Sequence, residues 1–325
     1  MHILLVNKAP IPVFAYGGTE RVIWDLGKAL SQLGHTVSYL VPQGSSCPFA
    51  RVIHIDPSLA IESQVPQDVD LVHFHSAPSF PELLNKPWLT TQHGNSIKGE
   101  QLPLNTVFVS RNHAQRHFAQ CYVHSGLDWD AYGKPNLDRP DAYLHFLGKA
   151  AWRVKNVKGS IDVALGARKR LKVLGGNRLN IKRGFRFTIY PSISFYGMVG
   201  GEVKINLLRD SAGLVFPVRW HEPFGLAVIE NLYFGVPVFS TPYGALPEIV
   251  GSENGFLSYR SQDLVDAINH FVPNRKINHQ LAQDCFNAKR MALDYLQKYE
   301  TVLSGSTLNA QQPRMNDDAV ALPWV

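Results

Sequence analysis

The chain has 325 residues, 45% hydrophobic and 18% charged, with three cysteines and a formal net charge of +6. That length allows two domains with separate cores, and the composition is that of a soluble globular protein. Membrane-spanning and disulfide-stapled classes are excluded: no apolar run approaches the roughly 18 residues a bilayer requires, and Cys47, Cys121 and Cys285 are few and scattered. A reducing, cytoplasmic setting is expected. The charge is uneven: residues 1–140 carry 10 Lys+Arg against 11 Asp+Glu, and residues 141–303 carry 21 against 13. The densest stretch, 149–186, has 12 basic residues and a single acid, Asp162. It reads either as a solvated basic face or as a field that attracts anionic partners, and no recognisable nucleic-acid module accompanies it.

The first seven residues lack the basic start and cleavage site of a signal peptide, and residues 3–6 read as an apolar strand. Gly17-Gly18-Thr19-Glu20-Arg21 follows. Thr19 is a good N-cap for a helix to about residue 33, with Val22, Ile23, Leu26, Ala29, Leu30 and Leu33 on one face and Gly34 as its stop. Further strands are expected at 37–41, 70–75, 88–94 and 106–110. His73 and His75 alternate along one of them and so point the same way, and Gln92-His93-Gly94-Asn95 ends another. A metal site built on His73, His75 and His93 lacks a carboxylate or cysteine to complete it, so no metal is expected. Strands separated by helical segments imply a parallel sheet covered on both faces.

The polar stretch 134–141 is the best linker, and a second alternating series begins after it. It runs through a strand at 142–147, a helix at about 160–170, and strands at 171–174, 187–190, 213–217 and 235–241. A strong helical pattern covers 287–303, and the polar, proline-bearing tail 304–325 reads as loosely ordered. No internal repeat is present.

The most informative segment is Trp220-His221-Glu222-Pro223-Phe224-Gly225-Leu226-Ala227-Val228-Ile229-Glu230. Glu222 falls in a loop, Gly225 opens a helix, and Glu230 lies about one turn inside it. A loop carboxylate beside a helix start, with a second carboxylate in that helix, suits a ligand with sugar hydroxyls at one end and an anion in its middle. With the strand after Gly235, then Gly244-Ala245-Leu246-Pro247-Glu248-Ile249-Val250 and Asn254-Gly255-Phe256-Leu257, this run resembles the donor-binding half of the GT-B glycosyltransferases, specifically glycosyltransferase family four. The resemblance extends over about residues 2–303. It implies an α/β fold of two Rossmann-like, doubly wound parallel-sheet domains facing a central cleft. Residues 1–140 would form the acceptor-side domain, with the 287–303 helix packing back on it; residues 141–286 would form the nucleotide-sugar domain, and 304–325 a tail.

The same resemblance implies the site. Glu222 would touch hydroxyls of the transferred sugar, the backbone amides of Phe224, Gly225 and Leu226 would meet the donor, and Glu230 would take the ribose diol. His93 would sit near the sugar and the reacting centre. Gly17 and Gly18 would face the donor phosphate and the acceptor. Phe146-Leu147-Gly148-Lys149 and Val157-Lys158-Gly159 resemble the family's two cations for the leaving diphosphate. Lysine replaces the usual arginine at Lys149, which loses the bidentate fork but keeps the charge. The second cation is Lys158, preferred because it precedes a glycine, or Lys155, which stands at the shorter spacing. Tyr196-Gly197-Met198-Val199-Gly200 resembles the loop that meets the base, through Met198 and Val199. Val218 and Arg219 stand where the family usually has a serine, and Asn231 replaces a common alanine.

These readings imply a metal-independent, retaining glycosyltransferase, with a nucleotide-diphosphate sugar as co-substrate and no bound cofactor. Its partners would be the nucleotide sugar and a carbohydrate or lipid-linked acceptor, with peripheral membrane contact and no nucleic acid, in the cytoplasm or at the inner face of the membrane. The rivals are a GT-B epimerase or hydrolase of sugar nucleotides and a non-catalytic polyanion- or membrane-binding protein.

Overall fold

The structure is a computed structural model and describes residues 1–13, 17–138, 142–181, 185–317 and 321–325. Two compact units divide the chain. The first takes residues 1–13, 17–128 and 286–317, the second 129–285 and 321–325. The division therefore falls between Asp128 and Trp129, ahead of the polar 134–141 stretch, of which residues 139–141 lie outside the described residues.

The first unit holds strands β1 (His2–Val6), β2 (Thr36–Val41), β3 (Arg51–His54), β4 (Leu71–Phe74), β5 (Trp88–Gln92) and β6 (Thr106–Phe108). All pair in parallel in the order β3-β2-β1-β4-β5-β6. This is the doubly wound Rossmann order, whose direction reverses between β1 and β4. Parallel strands buried on both faces read as near-continuous apolar runs, as in Ile3-Leu4-Leu5-Val6, all fully buried or nearly so. Helix α1 (Gly18–Gln32) follows β1, and the short α2 (Arg111–Gln115) follows β6. Thr19 lies inside the first turn of α1; its cap is Gly17, whose carbonyl accepts from Arg21 N at 3.2 Å. A Cβ on Gly17 would come within 2.7 Å of both Glu20 and Val13, so glycine permits this tight entry.

The second unit repeats the plan. Its strands β7 (Tyr143–Leu147), β8 (Leu171–Leu174), β11 (Ile193–Phe195), β12 (Ser211–Phe216), β13 (Val238–Ser240) and β14 (Gly255–Leu257) pair in parallel as β11-β8-β7-β12-β13-β14. The direction reverses between β7 and β12. A separate antiparallel ribbon, β9 (Leu179–Asn180) with β10 (Arg186–Phe187), lies between β8 and β11 in the chain. The expected strand at 187–190 is thus displaced: the sheet's edge strand is Ile193–Phe195, because Phe187 is paired to Leu179 instead. The helices are α3 (Val157–Gly166), α4 (Gly201–Arg209), α5 (Leu226–Tyr233), α6 (Leu246–Ile249), α7 (Ser261–His270) and α8 (Arg275–Cys285). Helix α3 starts three residues earlier than its apolar pattern suggests, because Asn156 caps it by accepting from Gly159 N at 3.1 Å.

Helix α9 (Ala288–Leu303) returns to the first unit and packs on α1. The tail expected to be loosely ordered is instead tied down. Leu102 N donates to Pro313 O, Gly99 N donates to Met315 O at 2.8 Å, and Asn309 donates to the carbonyls of Leu104 and Thr106, also at 2.8 Å. Met315 is buried. Residues 321–325 run along the second unit, where Leu322 N and O pair with Arg219 O and Nε. Among the described residues no helix is long and apolar enough to cross a membrane.

Candidate functional site

In doubly wound sheets ligands bind beyond the carboxyl ends of the strands where the order reverses. In the second unit those ends are Gly148-Lys149 after β7 and residues 217–225 after β12. Close backbone approach defines the first. A Cβ on Gly175 would fall 2.1 Å from Gly148 O, and Gly175 N donates to Gly197 O at 2.6 Å. These glycines bring the ends of β7, β8 and β11 together, which places Lys149 beside them in sequence and the Met198-Val199 loop directly after Gly197. Met198 is exposed and Val199 half-buried. The Lys149 ammonium lies over the Trp152 ring, 5.3 Å from its centroid.

From Lys149 the chain turns through a 3₁₀ segment at Arg153–Lys155 into the Asn156 cap. Asn156 Nδ2 also donates to Pro217 O at 2.9 Å, tying this turn to the loop after β12. The turn aims Lys155 inward. Its Nζ donates to Glu222 Oε2 at 2.7 Å, and Trp220 Nε1 donates to the same oxygen at 2.7 Å. The ammonium also lies 4.7 Å from the Trp220 ring centroid and 5.1 Å from that of Phe216. Glu222 is 8% exposed and Lys155 equally so. The buried carboxylate is thus met by a hydrogen-bonded cation and an indole donor on one oxygen. Lys158, the preferred candidate for the second cation, is exposed on α3 and pairs with Asp162 at 2.7 Å. The structure thus puts Lys155, and not Lys158, against Glu222.

The Glu222 backbone is fixed from the other side. Ala245 N donates to Glu222 O at 2.9 Å, and a Cβ on Gly244 (φ +68°) would lie 2.3 Å from Glu222 N and O. That contact explains why Gly244-Ala245-Leu246 accompanies the glutamate. Gly225, at φ +114°, caps α5 and turns Leu226 into it, while Phe224 is buried beside the turn. Glu230 lies on α5 and is 2% exposed. Its Oε1 accepts from Lys204 Nζ and from Tyr132 OH, each at 2.5 Å. The donors that a buried Glu230 requires are therefore present within the protein. Neither Tyr132 nor Lys204 stands in a spacing that sequence reading could have used. Trp220 is adjacent to the motif, but its indole contact with Glu222 depends on how the loop folds.

In the first unit the reversal-point ends are the loop after β1, with Gly17 and Gly18 at the start of α1, and His75 after β4. His93 follows β5. His75 Nδ1 and His93 Nε2 are 3.0 Å apart, so one of them donates to the other. His73 and His75 stack with centroids 4.2 Å apart, as their alternation implies, and His73 is held by Tyr299 OH at 2.9 Å and Thr91 Oγ1 at 2.7 Å. Burial pushes His93 down to about 4 and holds His73 and His75 well below the usual histidine range, so all three are neutral at pH 7. Among the described residues no group of three or more His, Cys, Asp or Glu is placed to hold a metal ion.

Residues 134–287 match the family model for glycosyl transferases group 1. No curated protein sequence matches the chain. Solved structures match it over nearly its whole length. AviGT4, a glycosyltransferase involved in avilamycin A biosynthesis, is 21% identical and superposes with a TM-score of 0.76 over 94% of this chain and 98% of its own. Sucrose-phosphate synthase from Thermosynechococcus elongatus is 18% identical, with a TM-score of 0.74 over 94% and 100%. Anabaena HepE in complex with UDP-glucose is 16% identical, with a TM-score of 0.69 over 94% and 100%. The fold is GT-B. The family match covers residues 134–287, which include Lys149, Lys155, Lys158, Met198, Val199, Glu222, Phe224, Gly225, Leu226 and Glu230.

Proposed function

We propose that this protein is a retaining, metal-independent glycosyltransferase of family four that moves a sugar from a nucleotide-diphosphate sugar to an acceptor hydroxyl, in glycan, polysaccharide or glycolipid assembly in the cytoplasm. One observation carries the reading: Lys155 and Trp220 converge on a single oxygen of Glu222, one step before the glycine-opened helix that carries Glu230. That grip fixes the carboxylate and leaves Oε1 to accept from a sugar hydroxyl. The start of α5, with the amides of Phe224, Gly225 and Leu226, faces the donor, and Glu230 takes the ribose diol in place of part of its present bonding. Lys149 and Lys155 hold the diphosphate, where charge develops as it leaves. The leaving phosphate oxygen takes the acceptor's proton while the acceptor oxygen bonds to the anomeric carbon on the face the phosphate departs from. The metal-free chemistry needs no cofactor beyond the sugar nucleotide itself.

Thermal melting against a panel of nucleotides and nucleotide sugars without metal tests the reading, since a ligand that binds only the folded state raises the melting temperature. One nucleotide diphosphate series is expected to stabilise the wild type and to lose its effect in Glu230→Gln. That variant keeps the side-chain shape and so separates lost binding from lost folding. No shift with any donor, even with acceptor sugars present, would overturn the donor site.

A further inference from the structure

The segment 321–325 is fastened along the carboxyl ends of the second sheet, the side on which a doubly wound sheet takes its ligands. Arg219 stands three residues past the end of β12, Tyr243 three past β13 and Tyr259 two past β14. These strands are neighbours in the sheet, so the three residues follow one row of strand ends. The segment is bonded at each. Leu322 N donates to Arg219 O and Arg219 Nε donates to Leu322 O, both at 2.8 Å. Tyr243 OH donates to Pro323 O at 2.8 Å. Val325 N donates to Tyr259 O at 3.1 Å, and Ser261 N donates to Val325 O at 2.5 Å.

Two of these anchor points adjoin the groups that fix Glu222. Arg219 N donates to Val154 O at 2.7 Å, within the turn that aims Lys155 at Glu222. Arg219 also precedes Trp220, whose indole holds the same carboxylate oxygen as Lys155. Tyr243 precedes Gly244, which is bridged to Glu222, and the Tyr243 ring meets that of His221 edge-on at 6.0 Å. Arg219 therefore links the Lys155 turn to Leu322, and Tyr243 links the Gly244 turn to Pro323. The carboxylate's own partners are Lys155 and Trp220, so the segment acts on the loop that carries the glutamate and not on its oxygens. A functional side chain on a loop keeps its geometry only where supporting contacts lock that loop. We propose that residues 321–325 are a clasp that, with Arg219 and Tyr243 as positioning residues, holds Glu222 and Lys155 in place for sugar transfer. The clasp rests on the sugar-transfer reading. It also gives a task to Arg219, which stands where the resembling family usually has a serine.

Deletion of residues 318–325 tests it, because Met315 and Asp317 keep their bonds to the first unit. The deletion is expected to lower kcat by about tenfold or more, since a small misplacement of a group at the reacting centre suffices for a loss of that size. A clasp that acts through Glu222 should add less than about twofold to the loss already present in Glu222→Gln, whereas a segment that only stabilises the fold would multiply the two losses. Amide exchange at 219–222 and 243–246 should quicken by about tenfold or more. Tyr243→Phe removes only the hydroxyl donated to Pro323 and serves if the deletion unfolds the second unit; it should lower kcat by about threefold at an unchanged melting temperature. Exchange needs no activity, so the two readings can fail separately. A full chain with neither turnover nor a nucleotide-induced melting shift would end the sugar-transfer reading, while exchange unaffected by the deletion would end the clasp. Turnover that stays level or rises in the deletion, or losses that multiply with Glu222→Gln, would also overturn it.

Discussion

The two sheets run in the same strand order, yet the segments that leave their reversal points differ in kind. In the first unit β4 runs into His75, which is bonded to His93 and stacked on His73, all desolvated and neutral. In the second, the segments after β7 and β12 bring a lysine and a glutamate together at 2.7 Å, and a second lysine–glutamate pair forms at 2.5 Å between α4 and α5. The strand order sets where a ligand can approach. The residues just past each strand set what can be held there: the neutral imidazoles suit hydroxyl groups, while the fixed charges suit a sugar and a phosphate.

The charged pairs make the second unit the more sensitive to single changes, and Glu222→Ala should show the largest effect. It removes the counter-charge of a buried lysine and the acceptor of an indole N–H. Leaving such a charge uncompensated costs about 3 kcal/mol or more, to be read from urea unfolding. Turnover should fall by about 100-fold or more, because the proposed contact with the transferred sugar is lost with it. Stability and turnover both near wild type in Glu222→Ala would show that the pair fixes nothing and would end the assignment of Glu222.

The first unit should instead be sensitive to acid. A histidine whose folded value is depressed binds fewer protons when folded than when unfolded, so its stabilisation is complete above the unfolded value and is lost as pH falls. For His93 the window runs from the ordinary value of 6.5 down to about 4, and His73 and His75, shifted in the same direction, add to it. Buried Asp25 in the same unit, raised to about 7, works in the opposite direction. The histidine part is therefore read as the difference between wild type and His93→Gln in denaturant midpoints from pH 7 to pH 4, where His93 contributes about 3 kcal/mol. His93→Gln should remove that part of the slope. An unchanged slope would mean that the imidazole is solvated and not held neutral by the pocket.

Most of this organisation was legible in the sequence, for definite reasons. Continuous apolar runs such as 3–6 and 171–174 belong to parallel strands buried on both faces, and they were placed within a residue or two. Gly225 and Gly244 could be read as structural punctuation because glycine is needed where φ is positive or where backbone must approach backbone. What escaped depends on tertiary contact. Strand β3, half-exposed and only four residues long, has too weak an apolar signal. The ribbon β9–β10 looked like part of the sheet because Phe187, Ile189 and Tyr190 resemble a strand, and only cross-strand pairing shows where they go. The tail looked mobile from its composition but is held through backbone groups that composition does not register. Tyr132 and Lys204 reach Glu230 from sequence positions 98 and 26 residues away, a convergence that follows only once α4, α5 and the Trp129–Tyr132 turn are packed together.

The smallest expected effect separates the two lysines near the start of α3. The following Gly159 favoured Lys158 over Lys155, which stands at the shorter spacing, but that glycine serves another purpose. Its amide is the donor captured by the Asn156 cap, and a Cβ there would lie 2.4 Å from the Asn156 side chain. The lysine before it is left on the exposed face of the helix, paired with Asp162 four residues on. Removing such a pair costs about 0.5 kcal/mol or less, so Lys158→Ala should melt within about a degree of wild type and keep turnover within about twofold. Lys155→Ala, which orphans Glu222 in a buried site, should lose both stability and turnover. If turnover instead falls in Lys158→Ala and survives in Lys155→Ala, the exposed lysine swings onto the leaving phosphate when donor binds. Lys155 would then serve only to hold the glutamate.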